Sequence, residues 1–156
     1  MPRHHERRRL PYSVEQMFDL VADVRHYADF LPWVSAVRVR SNTSELMVAD
    51  LIVGFKGLRE TFTSRVLKDR PHRIDVEYVD GPLKYLKNNW RFEPEADGCT
   101  VDFVVDFAFR NRVFEALAGK VFDAALRKMI GAFEARAGAL YGASSGINSD
   151  SATSAA

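Results

Sequence analysis

The side chains best suited to chemistry lie in the middle of the chain. From Leu58 to Val66 the apolar residues Leu58, Phe62 and Val66 recur at every fourth position, with Glu60 and Ser64 between them on the same face of an extended strand. A carboxylate and a hydroxyl on an inward face have to be hydrogen-bonded, paired or wet. Two uses are open: a polar anchor for the head of an otherwise apolar ligand, or an internal salt bridge to Arg65 or Arg91. Asn88 shares a face with Leu86, Trp90 and Phe92 and is the second hydrogen-bonding candidate. An enzyme working in the same place would use Glu60 and Tyr85 as its acid and base.

Other reactive groups are more scattered. Asp102 and Asp106 sit two strand steps apart among Val101, Phe103, Val105 and Phe107, the pattern of a solvated strand face. His4 and His5 are neighbours that point to opposite sides of a strand, and His26 and His72 stand alone. Asp19, Asp23 and His26 have the spacing of one helix face, which is also how a solvated face reads, so no metal is expected. The lone Cys99 excludes an intramolecular disulfide and any cysteine-based cluster. Nothing resembles a nucleophile elbow, a P-loop or a glycine-rich dinucleotide turn. No resident cofactor is expected.

The elements that position these groups follow from the hydrophobic period. Ser13 with Gln16 has capping-box spacing, and Val14, Met17, Phe18, Val21 and Ala22 continue at helical intervals. Asp23 to Leu31 reads as a second short helix, ended by Pro32. From Val34 to Phe109 the period is two, which gives strands joined by Gly54 and Gly57, by Asp80-Gly81-Pro82 and by the hairpin dipeptide Asp97-Gly98. Arg112 to Tyr141 returns to a helical period, with an apolar arc of about 200°, roughly twice what a surface helix needs. The order is therefore α+β: a first strand, two short helices, an antiparallel meander and one long C-terminal helix. A twisted sheet curling around that helix buries both and encloses apolar space, either as a dry core or as a pocket.

Composition narrows the function. The 156 residues carry 22 basic and 21 acidic side chains, so no global field gathers nucleic acid or anionic lipid, and DNA is not an expected partner. The basic start, with Arg3, Arg7, Arg8 and Arg9, reads as a solvated edge strand or as a small membrane or RNA contact. No run approaches the roughly 20 apolar residues of a membrane span, and no secretory apolar region opens the chain. A single domain over 1–141 is expected, with a disordered tail over 142–156 that has one charge and one large apolar residue. The expected location is a bacterial cytoplasm, with peripheral contact at the inner membrane.

The segment Tyr27-Ala28-Asp29-Phe30-Leu31-Pro32-Trp33 resembles the corresponding stretch of the coenzyme Q-binding START-domain proteins, in the polyketide cyclase/dehydrase-like superfamily. Val53-Gly54-Phe55, Phe62-Thr63-Ser64-Arg65-Val66, Trp90-Arg91-Phe92, Cys99-Thr100-Val101-Asp102-Phe103 and Phe133-Glu134-Ala135-Arg136-Ala137 agree in order. One departure is Leu83 after Gly81-Pro82, where the family has an aromatic. The resemblance implies a helix-grip (START/Bet v 1-like) fold, with a curved antiparallel sheet of about six to seven strands. It further implies a non-catalytic protein that binds ubiquinone or a related prenylquinone as carrier or chaperone for respiration or quinone biosynthesis. A ribosome-association branch implies instead a regulator that binds a ribosomal subunit, and a cyclase/aromatase-like enzyme is the third reading. The expected ligand-lining set is Phe30, Trp33, Phe55, Glu60, Phe62, Ser64, Leu86, Asn88, Trp90, Leu117, Val121 and Phe122, around a long apolar slot. Phe30 to Trp33 and the Gly81-Pro82-Leu83 loop are expected at a lid that touches membrane transiently.

Overall fold

The computed structural model describes residues 3–55 and 58–142, the side chains of Phe55 and Leu58 excepted. Ser13 caps the first helix as its spacing predicts: its hydroxyl accepts from the Gln16 amide at 3.1 Å, while the Gln16 side chain accepts from the Ser13 amide at 2.9 Å. Helix α1 (Val14–Ala22) follows strand β1 (Arg3–Leu10) and buries Val14, Met17, Phe18, Leu20 and Val21. The expected second helix is broken in two, a 3-10 turn at Val24–His26 and the four-residue α2 (Tyr27–Phe30). Asp23, which ends α1, is outside helical geometry at φ −83°, ψ 62°. Its carboxylate holds His26 at 2.6 Å and closes the tighter turn.

Six strands then run as a meander: β2 (Val34–Asn42), β3 (Leu46–Phe55), β4 (Leu58–Asp69), β5 (Arg73–Asp80), β6 (Leu83–Glu95) and β7 (Gly98–Phe109). With β1 they form one seven-stranded antiparallel sheet in the order β1-β7-β6-β5-β4-β3-β2. Register shifts within the β2–β3, β4–β5 and β6–β7 pairings bend it, as bulges do. At the β6–β7 turn Gly98 has φ 153°, and a Cβ there would meet the Leu10 carbonyl oxygen at 2.0 Å. Only glycine fits this turn against the end of β1.

The basic start is an edge strand, and two of its four arginines, Arg7 and Arg8, pair within the fold. His5 lies 2.7 Å from Asp102, Arg7 reaches Asp102 and Glu93 at 3.3 Å, and Arg8 bonds Glu6 and reaches Glu134 at 2.9 Å. On the opposite side of the sheet, buried Asp50 accepts from Thr63 Oγ1 at 2.7 Å and from Arg40 Nε at 2.9 Å. The Thr63 hydrogen bond, with Arg40 behind it, holds the Asp50 carboxyl below its usual range.

The long helix α3 spans Arg112–Tyr141, as its period predicts. Asn111 Oδ1 accepts from the amides of Val113 at 2.8 Å and Phe114 at 3.2 Å, and Gly142, at φ 75°, closes the other end. Its wide apolar arc is not covered evenly. Leu126, Ile130, Phe133 and Ala137 are buried, all from the middle of the helix onward. There Phe133 packs edge-on against Tyr27, Phe30 and Trp90, with ring centroids 5.6, 5.3 and 5.7 Å away. In the first half Phe114, Leu117, Val121, Phe122 and Ala125 are only half-buried, and Val113 is 72% exposed. None of the helices among the described residues is long and apolar enough to cross a membrane.

Candidate functional site

The half-buried residues of α3 face a cavity of about 210 Å³. The helix contributes Phe114, Leu117, Ala118, Val121, Phe122 and Ala125, and the sheet contributes Val53 from β3, Glu60 and Phe62 from β4 and Phe107 and Phe109 from β7. Trp33, between α2 and β2, completes the wall. Strands β3 and β7 stand near opposite edges of the sheet, so lining one cavity from both shows that the sheet curls around α3. Phe107 packs on Phe122 and Phe109 on Phe114, with centroids 5.8 and 5.9 Å apart. These two rings tie the open half of the helix to the sheet.

Glu60 is the ionisable group of this wall, directly across the β3–β4 ladder from Val53. Among the described residues its carboxylate has neither a hydrogen bond nor an ion pair. The cations expected as partners are engaged elsewhere, Arg65 with Glu77 at 3.7 Å and Arg91 with Asp75 at 3.0 Å. Strand alternation puts Glu60 and Phe62 inward, as their spacing predicts.

Trp33, Glu60, Phe62, Leu117, Val121 and Phe122 line the cavity. Five of the other expected residues stand elsewhere. Trp90 lines a separate void of about 40 Å³ beneath the second half of α3, which shares no residue with the first, and stacks on Phe103 at 5.0 Å. Phe30 packs on Tyr27 and Phe133 beneath the Arg136 guanidinium, 5.3 Å from its ring centre, and belongs to the packed end. Asn88 spends its amide within the fold, donating to the Val104 carbonyl at 3.0 Å and accepting from the Trp90 indole at 3.2 Å. Ser64 is buried opposite Ala49, beyond Phe62, and Leu86 sits opposite Phe107 without reaching the cavity. The Phe55 side chain lies outside the described residues. Among the described residues the expected lining is thus divided between a cavity of about 210 Å³ and a void of about 40 Å³. Val53, Phe107, Phe109, Phe114, Ala118 and Ala125 are wall residues that the sequence reading did not select.

The acid–base pair of the enzyme reading is not assembled. Tyr85 stands opposite Ala108, on the sheet face turned away from Phe107, and its hydroxyl donates to Asp106 at 3.0 Å. Partial burial, helped by that carboxylate, raises the Tyr85 pKa. Asp102 and Asp106 are on this outer face, as expected. Burial pushes the Cys99 thiol up to about 11, which makes it a poor nucleophile. Asp19 binds Arg70 at 2.8 Å while Asp23 holds His26, and no group of three or more metal-binding side chains forms among the described residues.

A bent seven-stranded sheet closed over a long C-terminal helix, with an apolar cavity between them, defines a helix-grip protein. The family described as polyketide cyclase / dehydrase and lipid transport matches residues 10–134, and the chain belongs to it. Among its relatives, the ribosome association toxin RatA of Rickettsia prowazekii is 37% identical over 132 residues, covering 82% of this chain and 90% of that one. The mitochondrial coenzyme Q-binding protein COQ10 homolog B of Xenopus laevis is 37% identical over 144 residues, which are 89% of this chain but 59% of that protein. The solution structure of an 18 kDa protein from Caulobacter crescentus, 42% identical, matches with a TM-score of 0.73 over 92% of this chain and 100% of that one. The resemblance read from the residues is thus borne out for the family, with both of its branches among the relatives.

Proposed function

We propose that this chain is a non-catalytic binding protein for ubiquinone or a related prenylquinone, taken into the cavity under the first half of α3. The observation that carries this reading is the cavity itself: aromatic and aliphatic walls with one carboxylate, in a chain similar to a coenzyme Q-binding protein. A cavity of about 150 Å³ suffices for benzene. At about 210 Å³ this one suits a substituted ring and the start of its tail, and the remainder of a long tail extends beyond it. Each CH₂ withdrawn from water contributes about 0.8 kcal/mol before ordering costs. Affinity is therefore expected to level off within the first isoprene units.

The test is organic extraction of protein purified from a quinone-producing host, followed by mass spectrometry. A near-stoichiometric prenylquinone that disappears in a folded Leu117→Glu variant supports the reading. An empty protein that also takes up no added quinone would sink it. A second reading, contact with a ribosomal subunit, is supported by the RatA relative and by four exposed cations at one end of the sheet: Arg59, Lys84, Arg110 and Arg112. Co-sedimentation with subunits, lost when Arg59, Lys84 and Arg112 become Glu, would favour that reading. Sedimentation unchanged by the reversals would remove this surface from it.

A further inference from the structure

We infer that the cavity selects a ligand that presents an O–H donor to Glu60, so that among quinones it prefers the reduced quinol to the oxidised form. This rests on the prenylquinone reading only for the identity of the ring; the donor requirement comes from the cavity. An ionised carboxylate has acceptor sites and no donor. Among the described residues nothing donates to Glu60, so an ionised carboxylate here would have to be hydrated before a ligand enters. Val53, Phe62 and Phe109, which line the same cavity, carry no side-chain donor. Any ligand that fills the space expels that water, and a charge stripped of water without a replacement partner is strongly disfavoured. A quinone brings carbonyl and ether oxygens, whose lone pairs oppose the carboxylate. A quinol brings hydroxyls, one of which donates to it. Hydrogen bonds to charged groups lie at the strong end of the range, so the discrimination is expected to be about tenfold or more.

The first measurement is equilibrium dialysis at pH 8 with 4-decylphenol and its methyl ether. The pair differ in a single O–H donor. The second uses a short-tailed ubiquinone and its chemically reduced quinol under anaerobic conditions. Wild-type protein is expected to hold the phenol and the quinol about tenfold more tightly than their partners. In Glu60→Gln, whose amide both donates and accepts, both ratios are expected to fall to within about twofold. Equal binding of phenol and ether by the wild type overturns the inference without any variant. So does a preference that survives in Glu60→Gln. If the phenol is preferred and neither ubiquinone form binds, the donor requirement stands and the prenylquinone reading falls. If both ubiquinone forms bind equally, the prenylquinone reading stands and the inference falls.

Discussion

Residues 126–141 of α3 bury four side chains and lock Phe133 among Tyr27, Phe30 and Trp90, whereas residues 112–125 bury none and leave about 210 Å³ beside them. Both halves are rich in large apolar residues and face the same sheet. The difference lies in what stands opposite: α1, α2 and the paired rings of Trp90 and Phe103 fill the second half, while the first meets Val53, Glu60 and three phenylalanines around a cavity. One end of the helix holds the fold together and the other borders an open cavity. Apolar composition alone does not tell them apart.

The contrast breaks most readily at Phe133. Phe133→Ala is expected to cost about 3–5 kcal/mol, read by urea denaturation, because three rings lose their partner at once. A loss below about 1 kcal/mol would show that the packed half is not packed. Gly98→Ala tests the same end from the turn, where a methyl would meet the Leu10 carbonyl in a backbone conformation that alanine avoids. Roughly 1–3 kcal/mol should be lost, and thermal unfolding of this variant should show it.

Two carboxylates sharpen the comparison further. Asp50 has Thr63 and Arg40, while Glu60 has neither kind of partner among the described residues. Because the folded value of Asp50 is lowered, its contribution is fully present above the ordinary carboxylate range. It is lost as pH falls through the folded value. Asp50→Asn should therefore destabilise by about 1–2 kcal/mol near neutrality and flatten the acid limb of a stability–pH curve. An unchanged acid limb would remove Asp50 from the account. The smallest effect is expected at Leu117→Ala in the open half, under about 1 kcal/mol because the side chain is already half-exposed. Ligand uptake, measured by the extraction assay, should nevertheless drop.

Much of the architecture was readable residue by residue. The Ser13–Gln16 pair, the Asp97-Gly98 turn and the helix Arg112–Tyr141 announce themselves through local chemistry and hydrophobic period. Alternation also gave the correct face for Glu60 and Phe62. It could not say how far along the sheet each inward residue stands, and the expected site therefore mixed the two ends. Trp90 and Phe103 are paired partners, and Leu86 and Phe107 lie four residues further from the turn. Counting outward from Asp97-Gly98 yields this register and separates Trp90 from the Phe107 end. No comparable count was open for Phe30, whose place depends on how the 3-10 turn at Val24–His26 swings α2 onto α3. Asn88 is held for another reason: its hydrogen bonds go to Val104 and Trp90, and alternation does not specify an amide's partners.

The pairing of β1 with β7 also bears on the order in which the chain assembles. Strands β2 to β7 pair with their immediate neighbours in sequence, through contacts that need little loop closure. Strand β1 instead joins Arg3 to Asp106 and Leu10 to Cys99, so it waits for nearly the whole sequence. Of the seven strands β1 is thus the last expected to find its place. Its amides on the free edge should be the first strand amides to exchange hydrogen when the native protein opens locally.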